Sequence, residues 1–323
     1  MDDICNGARS GMNVWMVIYP WLGYFLLMQS KPLVVLYDER CADYESPGHP
    51  ERPFRVTSTV DRLRAQSLLE IEWMVPKEAK VESLLRAHSQ GHLQRLKTTS
   101  RDFDGDTPYY ENIDSHALRA SGAALEALEL AIQGRQVFSL MRPPGHHATQ
   151  NRAMGFCYLS SMAIAILEGV ERLEARMAVL DFDVHHGNGT EDILHGKENV
   201  LFTSIHQSPC YPGTGLEDRP PNCRNYPQKP RTPAKDYRKA ISNALQDIVT
   251  FKPDILGVSA GFDAYSQDPI AQELLEKEDF EWIGKQIASL SIPSFSILEG
   301  GYSDSLSILV QSYLYGLCGV STA

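Results

Sequence analysis

After residue 28 the chain alternates short apolar runs, bounded by Gly, Asp or Pro, with longer helical stretches, and no linker or repeat interrupts the rhythm. The runs at 32–37 (PLVVLY), 136–141 (QVFSLM), 177–182 (MAVLDF), 200–205 (VLFTSI), 255–260 (ILGVSA) and 294–298 (SFSIL) predict strands. Helices are predicted over 54–67, 80–86, 91–98, 115–133, 157–174, 236–250, 278–289 and 305–317. The helix over 115–133 carries the plainest signature: Ser115 is placed to cap its start, Ala and Leu dominate, and Gly134 follows its end. A β-then-α order of this kind predicts an α/β domain, a parallel sheet covered by helices on both faces. The Pro-rich segment 208–233 predicts a loop that begins beside a strand end and shapes a binding rim.

A chain of 323 residues with 43% hydrophobic residues is long enough for one large α/β domain with a deep core. Its net charge of −11 argues against an electrostatic grip on nucleic acid, which needs a basic face. Six cysteines, at 5, 41, 157, 210, 223 and 318, form no C-x-x-C pair. That excludes a disulfide framework and a thiolate zinc ribbon, and implies a reducing, cytoplasmic setting. Residues 12–28 (MNVWMVIYPWLGYFLLM) are apolar and aromatic, but short for a membrane span and interrupted by Pro20 and Gly23. They also lack a strong basic n-region and an A-x-A-like cleavage site. The expected organisation is an apolar extension at 1–27 and one domain over 28–323, opened by KPLVVLYDERC. Membrane attachment follows only if 12–28 is a genuine anchor.

The polar clusters fall at predicted strand ends. His146 and His147 follow 136–141; Asp181, Asp183 and His185 end 177–182; Ser204 and His206 end 200–205. Asp263 follows 255–260, and Glu299, Gly300, Gly301 and Tyr302 follow 294–298. In open parallel sheets, ligands bind outside the carboxyl ends of the strands. Any one of these stretches alone reads as a cap or a turn. Five of them delivering acid, imidazole or phenol to the same edge predict a site.

Asp183 and His185 stand at i and i+2, so in an extended segment both point the same way. With Asp263 they supply two carboxylates and one imidazole, the donors of a catalytic zinc site with an open position. Such an ion would lower the pKa of water toward about 7 and polarise a carbonyl. The tandem imidazoles of RPPGHHAT lie between a rigid Pro-Pro-Gly approach and the apolar GFCYLSSMAIAI, which predicts a covered cleft. Imidazoles there suit proton transfer near neutral pH. One backed by Asp is held charged, and one backed by a neutral amide stays available as a base. The two glycines before Tyr302 allow close backbone approach to a ligand. The phenol then either donates to an oxyanion or packs with its hydroxyl in solvent.

Seven stretches now stand in order: HPERPFR (49–55), RPPGHHA (142–148), GFCYLSSMAIA (155–165), LDFDVHHGNGTEDI (180–193), SIHQSPCYPGTG (204–215), GVSAGFDAYSQDP (257–269) and LEGGY (298–302). Together they resemble the zinc-dependent histone deacetylase superfamily, which includes bacterial acetylpolyamine amidohydrolases. The resemblance covers nearly everything after Met28. It implies the three-layer α/β/α arginase-deacetylase fold with a mostly parallel, roughly eight-stranded sheet. One zinc ion per chain would be held by Asp183, His185 and Asp263. A structural potassium ion would use Asp181, Ser204 and the main chain of Asp183, His185 and Ile205. The resemblance makes His147 the general base and then acid, and Tyr302 the transition-state donor. His146 would be oriented by Asp181, and Asn188 would stand behind His147 as a neutral partner. Phe156 and Tyr211 would wall an acyl-lysine tunnel, with Gly155 and Gly301 at the substrate.

Asn188, the Glu of LEGGY and the retained Tyr302 look like the bacterial and class II side of the family. QDPI (267–270) is similar to acetylpolyamine amidohydrolases, whereas SPGHPERP is closer to protein deacetylases, and no long insertion precedes the tandem His. The acidic run RDFDGD (101–106), which at a rim would attract a cationic substrate, is read as a solvated turn. The implied function is a zinc-dependent deacetylase of acetyl-lysine in proteins or of small N-acetylated amines, releasing acetate. An acetylpolyamine amidohydrolase is the alternative within that class. A binuclear manganese ureohydrolase needs further bridging carboxylates that Gly187, Asn188 and Gly189 do not supply. A catalytically silent acyl-amine binder is the third reading.

Overall fold

The computed structural model describes residues 31–320, so the apolar segment at 12–28 and the expected boundary between residues 27 and 28 lie outside the described residues. Eight strands form one sheet: β1 (Leu33–Leu36), β2 (Ile71–Met74), β3 (Val137–Ser139), β4 (Met177–Asp181), β5 (Val200–Gln207), β6 (Cys223–Gln228), β7 (Ile255–Ala260) and β8 (Ser294–Leu298). Their order is β2-β1-β3-β8-β7-β4-β5-β6, and every neighbouring pair is parallel. The strands of β3, β8, β7 and β4 are buried at every residue, as a parallel sheet covered on both faces requires. Those four central strands also carry the predicted site residues at their carboxyl ends.

The helices are α1 (Phe54–Ala65), α2 (Val81–Ala87), α3 (Gln90–Thr98), α4 (Ile113–Ile132), α5 (Ser161–Leu173), α6 (Asn188–Leu194), α7 (Ala234–Phe251), α8 (Lys277–Ser289) and α9 (Leu306–Leu317). α4 and α5 pack on each other and over the central strands, α7 covers β4 to β6, and α8 packs on α9. Beneath the site lies an aromatic floor. Phe182 and Phe262 pack edge-on at 5.9 Å, and Tyr313 approaches them at 5.6 and 5.9 Å. Phe182 separates Asp181 from Asp183, and Phe262 precedes Asp263. Burying each such ring stabilises by roughly 1.5–3 kcal/mol, so the floor fixes the backbone that carries the acids.

Four local expectations are corrected. The segment 208–233 is not loop throughout: Cys223–Gln228 forms edge strand β6, where Pro227 is tolerated because one side of the strand has no neighbour. The other edge strand, β2, is four residues long and mostly half-buried, so it lacks the apolar run that marks the central strands. The helix predicted from 157 begins at Ser161, and 157–160 is instead a buried, bending segment whose Ser160 N–H donates to His88 Nε2 at 2.9 Å. Ser115 does not cap α4: it lies within the first turn, donating to Glu78 at 2.9 Å and accepting from Arg119 at 2.8 Å.

Candidate active site

Past the end of β4 the chain bends at 183–185, where Asp183 N–H donates to Asp181 Oδ1 at 3.1 Å and His185 N–H to Asp183 Oδ1 at 2.9 Å, so Phe182 turns into the floor while Asp183 and His185 come together. The ligand atoms of Asp183, His185 and Asp263 lie within 4.8 Å of one another, and all three side chains are buried. His185 Nδ1 stands 3.2 Å from Asp183 Oδ1 and 3.1 Å from Asp263 Oδ2. Backbone amides aim the carboxylates: Gly300 N–H donates to Asp183 Oδ2 at 2.7 Å, and Val184 N–H to Asp263 Oδ1 at 2.9 Å. A Cβ on Gly300 would collide with both carboxylates, so only glycine lets the LEGGY backbone approach them. Burial, then the charge of Asp183, pushes the Asp263 carboxyl up. Two acids desolvated against each other, converging with one imidazole, are the donor set that a divalent cation neutralises. The residues present therefore fit a zinc ion.

The tandem imidazoles are sorted by their neighbours. His146 Nδ1 donates to Asp181 Oδ2 at 3.1 Å, and its Nε2 lies 3.7 Å from Asp183 Oδ1. Burial disfavours the charge on His146, but Asp183 and Asp181 outweigh it and raise the ring to about 10. His147 stacks on His146 with ring centroids 4.0 Å apart and donates from Nδ1 to Asn188 Oδ1 at 2.7 Å. Its pKa is driven well below the usual histidine value by burial, then by the charges of His146 and His185. The physical reason is not the neutral partner: the hydrogen bond that His147 donates to Asn188 acts in the opposite direction. Asn188 instead fixes the tautomer, leaving Nε2 of His147 without a proton.

Tyr302 presents its ring edge-on to Phe156 at 5.6 Å, and Arg55 lies over its face at 4.7 Å. Burial raises its phenol well above 10, so the hydroxyl keeps its proton. Tyr211 meets His147 edge-on at 5.0 Å. Gly155 (φ +58°) and Phe156 (φ +66°) are both left-handed, and a Cβ on Gly155 would strike the rings of His147 and Tyr211. Gly301, at φ +113°, turns the chain into Tyr302. Ser204 lies beside Asp181 in the sheet register and donates to His206 Nδ1 at 2.9 Å, since His206 Nε2 donates to Gly215 O. The carbonyl of Ile205 accepts from the Tyr237 hydroxyl at 3.4 Å.

The acidic run is a bending segment with Arg101, Asp102 and Gly105 exposed, as a solvated turn would be, but it is anchored at Phe103 and the following Thr107. Phe103 and Thr107 are buried, the Phe156 N–H donates to Thr107 at 3.2 Å, and Asp106 N–H donates to Asp104 Oδ1 at 3.3 Å. Burial, then the hydrogen bond and charge of Asp104, raises the Asp106 carboxyl. Both acids act electrostatically on Tyr211, so the run sits at the rim of the site. Sequence reasoning also gave no role to Glu51, Arg55, Arg142 or Asp268. Asp268 Oδ2 accepts from the N–H of Tyr302 at 2.7 Å and of Ser303 at 3.2 Å. Glu51 accepts from Arg55 at 3.1 Å and from Arg142 at 2.8 Å. Their only signal was membership of the motif stretches, because buried ion pairs carry no periodicity.

An all-parallel α/β domain with helices on both faces of its sheet carries, at the carboxyl edge of its central strands, an acid–imidazole triad that could hold a metal ion. Among such α/β domains, this chain belongs to the histone deacetylase domain family, which it matches over residues 49–317. A "Probable deacetylase" of Archaeoglobus fulgidus is 33% identical over 295 residues, covering 84% of this chain and 81% of the relative. Among solved structures, the HDA15 HD domain superposes with a TM-score of 0.84 at 30% identity, covering 90% of this chain and 89% of that one. An acetylpolyamine aminohydrolase from Burkholderia pseudomallei gives a TM-score of 0.82 at 26% identity, covering 90% and 99%. The eight-stranded sheet and its flanking helices are thus the arginase-deacetylase fold.

Proposed function

We propose that the protein is a zinc-dependent amidohydrolase that removes the acetyl group from N-acetyl-lysine or from a small N-acetylated amine, releasing acetate. One observation carries the reading: the triad of Asp183, His185 and Asp263 stands beside an uncharged imidazole whose free nitrogen is Nε2. Bound by that triad, a zinc ion would polarise an amide carbonyl and bring the pKa of water toward about 7. His147 Nε2 takes the proton from the attacking water, and the resulting imidazolium gives it to the departing amine. His146, charged and held by Asp181, orients the stack and keeps His147 neutral at rest. The protonated phenol of Tyr302 donates to the developing oxyanion. Phe156 and Tyr211, spaced by Gly155 and Gly301, would pack the acyl-amine chain and exclude water.

The reading extends to a structural potassium ion at Asp181, Asp183, His185, Ser204 and Ile205. It is supported by the buried Asp181 carboxylate and by a Ser204 hydroxyl whose proton is committed to His206, leaving its lone pairs to a cation. A second substrate reading, an acetylated polyamine, is favoured by the acids Asp104 and Asp106 at the rim, which would attract a remainder bearing further positive charge. Five described cysteines are all free, which fits the cytoplasmic setting we propose. Among the described residues no helix is long and apolar enough to cross a membrane.

The test is a panel of acetyl-lysine peptides, N-acetylputrescine and N-acetylspermidine, with metal content measured on the same sample. One zinc per chain with acetate release supports the proposal, and the preferred panel member names the substrate class. Two manganese ions per chain would indicate the ureohydrolase chemistry instead. A zinc-loaded protein that releases no acetate from any member would leave a silent acyl-amine binder.

A further inference from the structure

We propose that Glu299 is a positioning residue that couples the loop of the tandem imidazoles to the loop of Tyr302. The inference rests on the roles given above to His147 and Tyr302. Glu299 is fully buried just past β8. Its Oε2 accepts from the backbone N–H of Gly145 at 2.7 Å and of His146 at 3.1 Å, and its Oε1 accepts from the Ser259 hydroxyl at 3.2 Å. A single carboxylate oxygen on the Tyr302 loop therefore sets the height of the backbone that carries the imidazole stack.

A second connection runs between the same two loops. Arg55 donates to the main-chain carbonyl of Glu299 and, at 2.7 Å, to that of Gly301. Glu51 accepts from Arg55 Nη1 at 3.1 Å and, with its two oxygens, from Arg142 Nε at 2.5 Å and Nη2 at 2.8 Å. Arg142 opens the loop that closes with His146 and His147. The ring formed by Arg142, Glu51, Arg55, the 299–301 backbone and the Glu299 carboxylate thus joins the base and the oxyanion donor twice. Placement matters here because a shift of about 1 Å in a reacting group can cost roughly a hundredfold in rate.

The three hydrogen bonds ask Glu299 for acceptors at a fixed reach, and none of them requires a charge. Glutamine keeps that reach: its amide oxygen can accept both N–H groups while its Nε2 donates to Ser259. Aspartate keeps the charge and withdraws the oxygen by one methylene. On the full-length zinc-loaded chain, Glu299→Gln is expected to retain kcat within about threefold, while Glu299→Asp loses about tenfold or more with KM changed less than about twofold. Nitrogen-15 spectra of the His146 and His147 side chains should move in Glu299→Asp and not in Glu299→Gln. That readout does not depend on turnover, so a failure of the deacetylase reading is told apart from a failure of this one. Wild-type kcat and unmoved resonances in Glu299→Asp would overturn the proposal. So would a Glu299→Gln variant as slow as Glu299→Asp, because charge would then be the property in use. Should the Asp variant not fold, Ser259→Ala frees Oε1. It is expected to lower kcat about threefold with the same resonances displaced, and undisplaced resonances would again overturn the proposal.

Discussion

Two buried histidine pairs flank one loop of this molecule and end in opposite states. His146 and His147 stack at 4.0 Å in the site, and His88 and His92 stand 5.0 Å apart behind it. Each pair is nearly inaccessible to water. The site pair faces the carboxylates Asp181 and Asp183, which hold one ring charged, while burial and then that charge keep its neighbour neutral. The rear pair faces only main chain. His88 Nδ1 donates to Thr149 O at 3.0 Å and Nε2 accepts from Ser160 N–H at 2.9 Å, while His92 Nε2 donates to Tyr158 O at 2.8 Å. With no acid nearby, burial and then the charge of His92 carries His88 down to about 3, and burial likewise lowers His92. Burial alone therefore makes a histidine a neutral brace. It takes an adjacent carboxylate, unequally shared, to make a pair that can exchange protons.

The strongest way to break the comparison is to remove the neutral member of the site pair. His147→Ala is expected to lower kcat by at least about a hundredfold, the lower range of general acid–base effects. Steady-state assays on the preferred panel substrate measure it, and near-native turnover would refute the assignment. Tyr302→Phe removes one hydroxyl and no packing. It should cost about a hundredfold, the low end for a lost oxyanion donor, with KM nearly unchanged if the phenol acts only in the transition state. His146→Ala should be milder, about tenfold, since it takes away a neighbour of the base and leaves the base itself. A His146 variant slower than the His147 variant would reverse the roles.

The central architecture was legible because β3, β4, β7 and β8 are buried on both sides and so are apolar throughout. Edge strands β2 and β6 are not, and β6 carries a proline, so composition hid them. The candidate metal triad was legible from position, each residue following a readable strand. Arg142 and Glu51, both buried, were opaque because an exposed ion pair and a buried one have the same spelling. HSQGH (88–92) shows the limit from the other side. As letters it is as plausible a ligand pair as GHH, and only the absence of a facing carboxylate makes it structural. The rim acids failed for a similar reason: nothing in RDFDGD reveals that Phe103 is buried and anchors the run beside the site.

The smallest effect tests the rear pair. His88 titrates at about 3 in the folded chain and near 6.5 when unfolded. Above about pH 6.5 both states are neutral and its contribution to stability is complete. Below that the unfolded chain takes up the proton first, so stability falls by about 1.4 kcal/mol per pH unit until the folded ring titrates as well. His88→Gln keeps a donor for Thr149 and an acceptor for Ser160 but cannot take a proton. Denaturant unfolding of the metal-free chain at pH 7 and pH 5 should show wild type losing about 2 kcal/mol more than the variant. The zinc-loaded variant should keep kcat within about twofold. An equal loss in both proteins would mean that His88 is not the buried neutral brace the geometry describes. A large fall in kcat at unchanged stability would mean that the rear pair takes part in the chemistry, and the contrast between the two pairs would dissolve.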